Sequence, residues 1–157
     1  MSARGPAGPD PAAGTGGSFE FVEGPTSDLA LRLRGRTLEA VFAAAADAFL
    51  AATVEEPATV QPALRRELRL EEPDPELLLL RFVNELVWLR DASELLLRPE
   101  RVELGRDGAP RLRADLVGEP IDRARHTLRS DVKAATAHGL GIRETAGGYE
   151  ATLTLDV

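Results

Sequence analysis

Apolar residues recur along this chain with two different periods, and the change from one to the other marks out the elements. Phe19 and Phe21 alternate with polar residues, and after Gly24-Pro25 the same two-residue period returns as Leu29, Leu31 and Leu33 against Ala30, Arg32 and Arg34. A period of two with one wet face belongs to a half-buried strand, so two short strands are predicted. Gly35 closes the second. Thr37 then stands as N-cap to a helix whose apolar positions Leu38, Val41, Phe42, Ala45, Ala46, Phe49 and Leu50 fall three and four residues apart. One face of that helix is expected in the core. Pro57 and Pro62 punctuate its exit, and Leu64, Leu68 and Leu70 with charges between them predict a third strand.

Asp74-Pro75 is an N-cap followed by a first-turn proline, which launches a second helix expected to run to about Asp91. At about 100° per residue Leu78, Phe82, Glu85 and Leu89 gather on one arc, and Arg81, Asn84 and Trp88 fall on the outer face. Val102 and Leu104, the turn Gly105-Arg106-Asp107-Gly108, and alternation through Leu112, Ala114 and Leu116 read as a hairpin. A charged loop from Asp122 to Ser130 precedes predicted strands over Val132 to Ala137 and Gly141 to Glu144. Gly147-Gly148 turns the chain into a last strand whose Tyr149, Ala151, Leu153 and Leu155 share a face. Short turns and no strand-helix-strand repeat predict an α+β fold, a mostly antiparallel β-sheet with two α-helices packed against it. Residues 19–157 are expected as one domain behind a disordered leader, 1–18, rich in Pro, Gly and Ala.

Composition narrows the chemistry. Lys and Arg number 19 against 26 Asp and Glu, a net charge of −7 that disfavours nonspecific binding to a phosphate backbone. With no cysteine there is no disulfide framework, thiolate metal site or thiol nucleophile, and a reducing, cytoplasmic setting fits. The greasiest run, Leu77 to Leu80, ends at Arg81, far short of a membrane span. His126 and His138 are the sole histidines, and no G-x-S-x-G, H-E-x-x-H, P-loop or dinucleotide glycine pattern occurs. An enzyme is the weaker expectation.

The remaining candidates are carboxylates in unusual places, which suit hard cations such as Ca²⁺. Asp28 stands at a strand entrance, where an Asx turn is the alternative. Asp156 ends the last strand with the terminal carboxylate of Val157 beside it, and a frayed tail is the alternative there. Paired first and last strands would bring Asp28, Asp156 and Val157 to one oxygen-rich corner. Glu85 on the apolar arc reads either as a buried acid, partnered by the sole lysine Lys133, or as a glutamate whose head reaches water. Arg123, Arg125, His126, Arg129 and Lys133 form a basic stretch, either a solvated loop or a contact for a phosphate or acidic partner. His138, before Gly139, fits a turn histidine.

Taken in order, Phe19 to Glu23, Thr26-Ser27-Asp28, the Gly35 to Glu39 helix start, Leu79 to Leu86, Gly118-Glu119-Pro120, His126, Asp131 to His138 and the terminal Asp156-Val157 resemble the archease family. Those small proteins assist the RtcB-type RNA-splicing ligase. The resemblance implies a divalent-cation site, most readily for Ca²⁺, at Asp28, Asp156 and Val157. It also implies a non-catalytic role: the family promotes guanylylation of the ligase and its multiple turnover, so GTP is bound by the partner and RNA is met only through it. Lys133, His126 and His138 are the expected partner-binding residues. At one place the chain departs from the family, which usually carries His-Thr-Ala-Asp directly after the glutamate. Here Glu23-Gly24-Pro25-Thr26-Ser27-Asp28 lacks the histidine and has one extra residue. The competing expectation is a diverged binding or chaperone-like module of the same fold acting on another protein or nucleic acid. A hydrolase working through Asp28, Glu85 and Asp156 is the third.

Overall fold

The computed structural model describes residues 16–23 and 28–157; most of the expected leader and residues 24–27 lie outside the described residues. In chain order come β1 (Ser18–Glu23), β2 (Leu29–Gly35), α1 (Leu38–Thr53), a 3₁₀ turn (Pro57–Thr59), β3 (Leu64–Glu71), α2 (Pro75–Ser93), β4 (Leu95–Gly105), β5 (Arg111–Pro120), β6 (Ala134–Thr145) and β7 (Gly148–Asp156). The caps form where the sequence places them. Thr37 accepts from the Ala40 N–H at 3.1 Å, and Asp74 accepts from the Leu77 N–H at 2.9 Å ahead of Pro75.

The strands make two sheets, β1-β2-β7-β6 and β3-β5-β4, antiparallel at every pairing. The expected α+β class, mostly antiparallel sheet with two helices packed on it, holds, and the strands divide between two sheets with a helical layer that touches both: α1 meets β1, β2 and β7 on one side and β4 on the other, and α2 meets β6 and all three strands of the smaller sheet. The expectation of a one-sided α1 is corrected for the same reason. All of α1 except Glu39 and Ala51 is buried, and its run of alanines lets strands approach from both sides. Phe42 of α1 meets Phe82 of α2 with ring centroids 6.0 Å apart, at the centre of the main core. Truncating either ring there would cost about 3–5 kcal/mol.

Three local readings change. β4 begins at Leu95, two residues after α2, because Leu95, Leu96 and Leu97 are all buried. The two predicted strands over Val132 to Glu144 are one strand, β6, whose register against β7 shifts between Thr136 and Gly141. Gly139 takes φ +72° inside this bulge, a conformation that glycine adopts without a Cβ penalty. The Oγ1 atoms of Thr154 and Thr152 donate to the carbonyls of His138 and Gly139 at 2.9 and 2.6 Å and hold the bulge down. Asn84, expected on the outer face of α2, instead pairs with β6: its amide donates to the Ala135 carbonyl at 3.0 Å and accepts the Ala135 N–H at 2.8 Å. Trp88 is on the outer face as expected, 60% exposed.

Candidate metal and partner site

The pairing of β2 with β7 places Leu29 opposite Leu155, so Asp28 and Asp156 lie one residue beyond that pair at the same end of the larger sheet. β6 supplies the third strand, with Ala134 opposite Asp156, and the Lys133 N–H donates to the Asp156 carbonyl at 2.7 Å. Directly opposed residues in an antiparallel pair have Cα atoms about 4.5–5.5 Å apart and share a face. Asp28, Asp156 and Val157 are each half-buried. Val157 packs against the main core, so the chain end is anchored rather than frayed. Two aspartates and Val157 thus lie at one sheet end, and carboxylate oxygens are the kind of donor hard cations take. Among the described residues no group of three or more His, Asp or Glu side chains is arranged to hold a metal. A cation here would draw its other ligands from backbone carbonyls and water, both ordinary for Ca²⁺ with its six to eight oxygens. In kind, the residues fit the ion.

A model of the Archease protein family (MTH1598/TM1083) matches residues 19–157. The chain belongs to the archease family. Among its relatives are the Protein archease of Methanosarcina barkeri, 30% identical over 90% of this chain and 97% of that one, and that of Thermococcus gammatolerans, 35% identical over 78% and 87%. The solution structure of Methanobacterium thermoautotrophicum protein 1598 superposes with a TM-score of 0.76 at 28% identity, covering 90% of this chain and 99% of the other. A crystal structure from Thermotoga maritima, described as an archease and possible chaperone, shares the fold with a TM-score of 0.61 at 15% identity, over 88% and 99% of the two chains.

Of the other candidate residues in this archease, Lys133 is exposed beside the corner and His138 is exposed on the β6 bulge. His126 is elsewhere, and its expected surface role is corrected. Its ring is wholly enclosed, Nδ1 accepts the Asp122 N–H at 2.9 Å, and Nε2 lies 3.0 Å from Glu119 Oε2. An Nδ1 that accepts leaves the proton on Nε2, which donates to the carboxylate. Glu119, at the end of β5, also accepts the Gln61 N–H at 2.7 Å and bonds Arg125. Burial pushes the Glu119 carboxyl up, but Gln61, Arg125 and His126 together hold it below the usual carboxylate value. Arg125, expected in a basic contact patch, is engaged by this cluster and by Asp122.

Of the two readings of Glu85, the one whose head reaches water holds and the buried acid is corrected. Its side chain is 33% exposed and lies 3.8 Å from Arg81 one turn earlier, so it is neither a buried acid nor the partner of Lys133. Among the described residues the buried acids, Asp47, Glu119 and Glu150, carry no mark in the sequence pattern that sets them apart from exposed ones. Glu150 lies between Arg34 at 2.9 Å and Arg143, whose hydrogen bond holds its carboxyl low despite burial. Arg90 escapes the pattern as well, although a signal exists: it follows Val83 by seven residues and Leu86 by four, on the apolar side of α2.

Proposed function

We propose that this archease is a non-catalytic accessory protein of an RtcB-type RNA ligase, which promotes guanylylation of the ligase from GTP and its multiple turnover. Asp28, Asp156 and the Val157 carboxylate hold a divalent cation in this reading, Ca²⁺ by the chemistry of the donors, and Lys133 beside them meets the partner. The single observation that carries it is the β2–β7 register, which brings residues 128 positions apart in the chain to one sheet end beside an anchored terminus. When bound, the cation would supply a fixed positive charge at the corner. The protein's own part is to hold the carboxylates on adjacent strands and to present Lys133 next to them.

Guanylylation of the cognate ligase, measured with and without the protein and with and without Ca²⁺, tests this. A rise in guanylylated ligase, and more than one ligation per ligase molecule, are expected only when the protein is present. No change at a molar excess of the protein overturns it. The chaperone-like reading, attached by description to the Thermotoga maritima structure, would then take precedence.

A further inference from the structure

Arg90 lies in the last turn of α2 and is only 7% exposed. Its guanidinium stands 5.5 Å over the Phe49 ring of α1, bonds Asp91 Oδ1 through Nε at 3.0 Å and Nη2 at 2.7 Å, and reaches Asp131 Oδ1 at 3.5 Å. Those contacts compensate the buried charge and lock the planar fork in place. Nη2 also donates to the Val132 carbonyl at 2.5 Å. That carbonyl belongs to the same peptide unit as the Lys133 N–H, which donates to the Asp156 carbonyl at 2.7 Å. A trans peptide is rigid and planar, with its C=O and N–H pointing in opposite directions. Orienting one end therefore orients the other. A cation on the carbonyl also polarises the amide and makes its N–H a stronger donor.

We propose that Arg90 is a positioning residue for the carboxylate corner, acting through the Val132–Lys133 peptide on the Asp156 carbonyl and so on the placement of the chain end. The inference rests on the reading of that corner as a cation site and deepens it. Asp156 and Val157 are joined by the peptide whose carbonyl is held, so that hydrogen bond restricts where both of their carboxylates can go. Groups that orient a metal's direct ligands typically alter affinity by 10–100-fold when removed.

The test uses the full chain with Arg90→Met, which keeps the apolar stem and removes every donor, and Arg90→Lys, which keeps the charge but not the fork. Three quantities are read: the Lys133 amide proton shift and its exchange rate without metal, the Ca²⁺ dissociation constant, and the unfolding midpoint without metal. Arg90→Met is expected to move the Lys133 amide upfield, speed its exchange, and weaken Ca²⁺ binding roughly tenfold at temperatures where the variant is folded. Arg90→Lys should fall between it and the wild type. A merely structural arginine would lower the midpoint and leave the amide shift and the affinity alone, and that result overturns the proposal. Should Arg90→Met fail to fold, an unchanged amide and affinity in Arg90→Lys overturns it equally. If the wild type binds no Ca²⁺, the cation reading fails, and the metal-free Lys133 amide still decides the relay.

Discussion

Two regions of this archease hold the same kinds of residue to opposite ends. At Glu119, His126 and Arg125 the acid is buried and every charge is answered: the carboxylate accepts a backbone N–H, a guanidinium and an imidazole, and the loop after β5 is clasped to the 3₁₀ segment. Asp28, Asp156 and Val157 instead lie at one end of the larger sheet, each half-buried. The first arrangement is what a fold needs, because an unanswered buried charge is costly. In the proposed reading the second takes a cation, whose charge offsets its carboxylates. Both regions are built on carboxylates, and what sets them apart is burial.

His126→Ala should break that contrast hardest. It leaves the buried Glu119 carboxylate and the Asp122 N–H each short of a partner, and a loss of about 2–4 kcal/mol is expected in urea unfolding. Asp156→Ala should do the reverse. Metal-free stability stays level or rises slightly as carboxylate repulsion is relieved, and the Ca²⁺-induced rise in Tm disappears. A wild type whose Tm does not respond to millimolar-order Ca²⁺, about the weak end of protein calcium sites, would remove the metal from the account.

Acid sharpens the comparison next. Glu119 titrates below its ordinary 4.5 in the folded protein, so its contribution is whole above the unfolded value and is withdrawn as the pH falls through the lower folded one. Glu119→Gln should flatten the acid loss of stability without abolishing it, since Glu150 is held low by Arg143 in the same way. Lys133→Ala is expected to reduce ligase activation with little change in Tm, because the side chain is exposed. A melted fold would make it structural instead. Glu85→Gln should be smallest, within about 0.5 kcal/mol, as its partner is a half-exposed arginine one turn away.

Features that depend on residues close in sequence are legible in the chain itself: both N-caps, the alternating faces of β2 and β7, the hairpin at Gly105 to Gly108, and the order of motifs that marks the family. Each is set by local stereochemistry or by a short hydrophobic period, and a linear reading captures both. The candidate corner is legible in part, since an acid at a strand entrance and another at the chain end need only one strand pairing to meet. What the tertiary structure alone decides is which side chains are already paired. Whether α1 is covered on one side or two depends on a second sheet whose strands come from residues 64–120. Whether Glu85 or Glu119 is the buried acid depends on which elements lie across from each, and nothing in the spacing of either residue carries that. Burial and charge pairing are long-range sums over neighbours distant in sequence, so His126, Asn84 and Arg90 acquire their roles only when loop, helix and strand are brought within hydrogen-bonding distance.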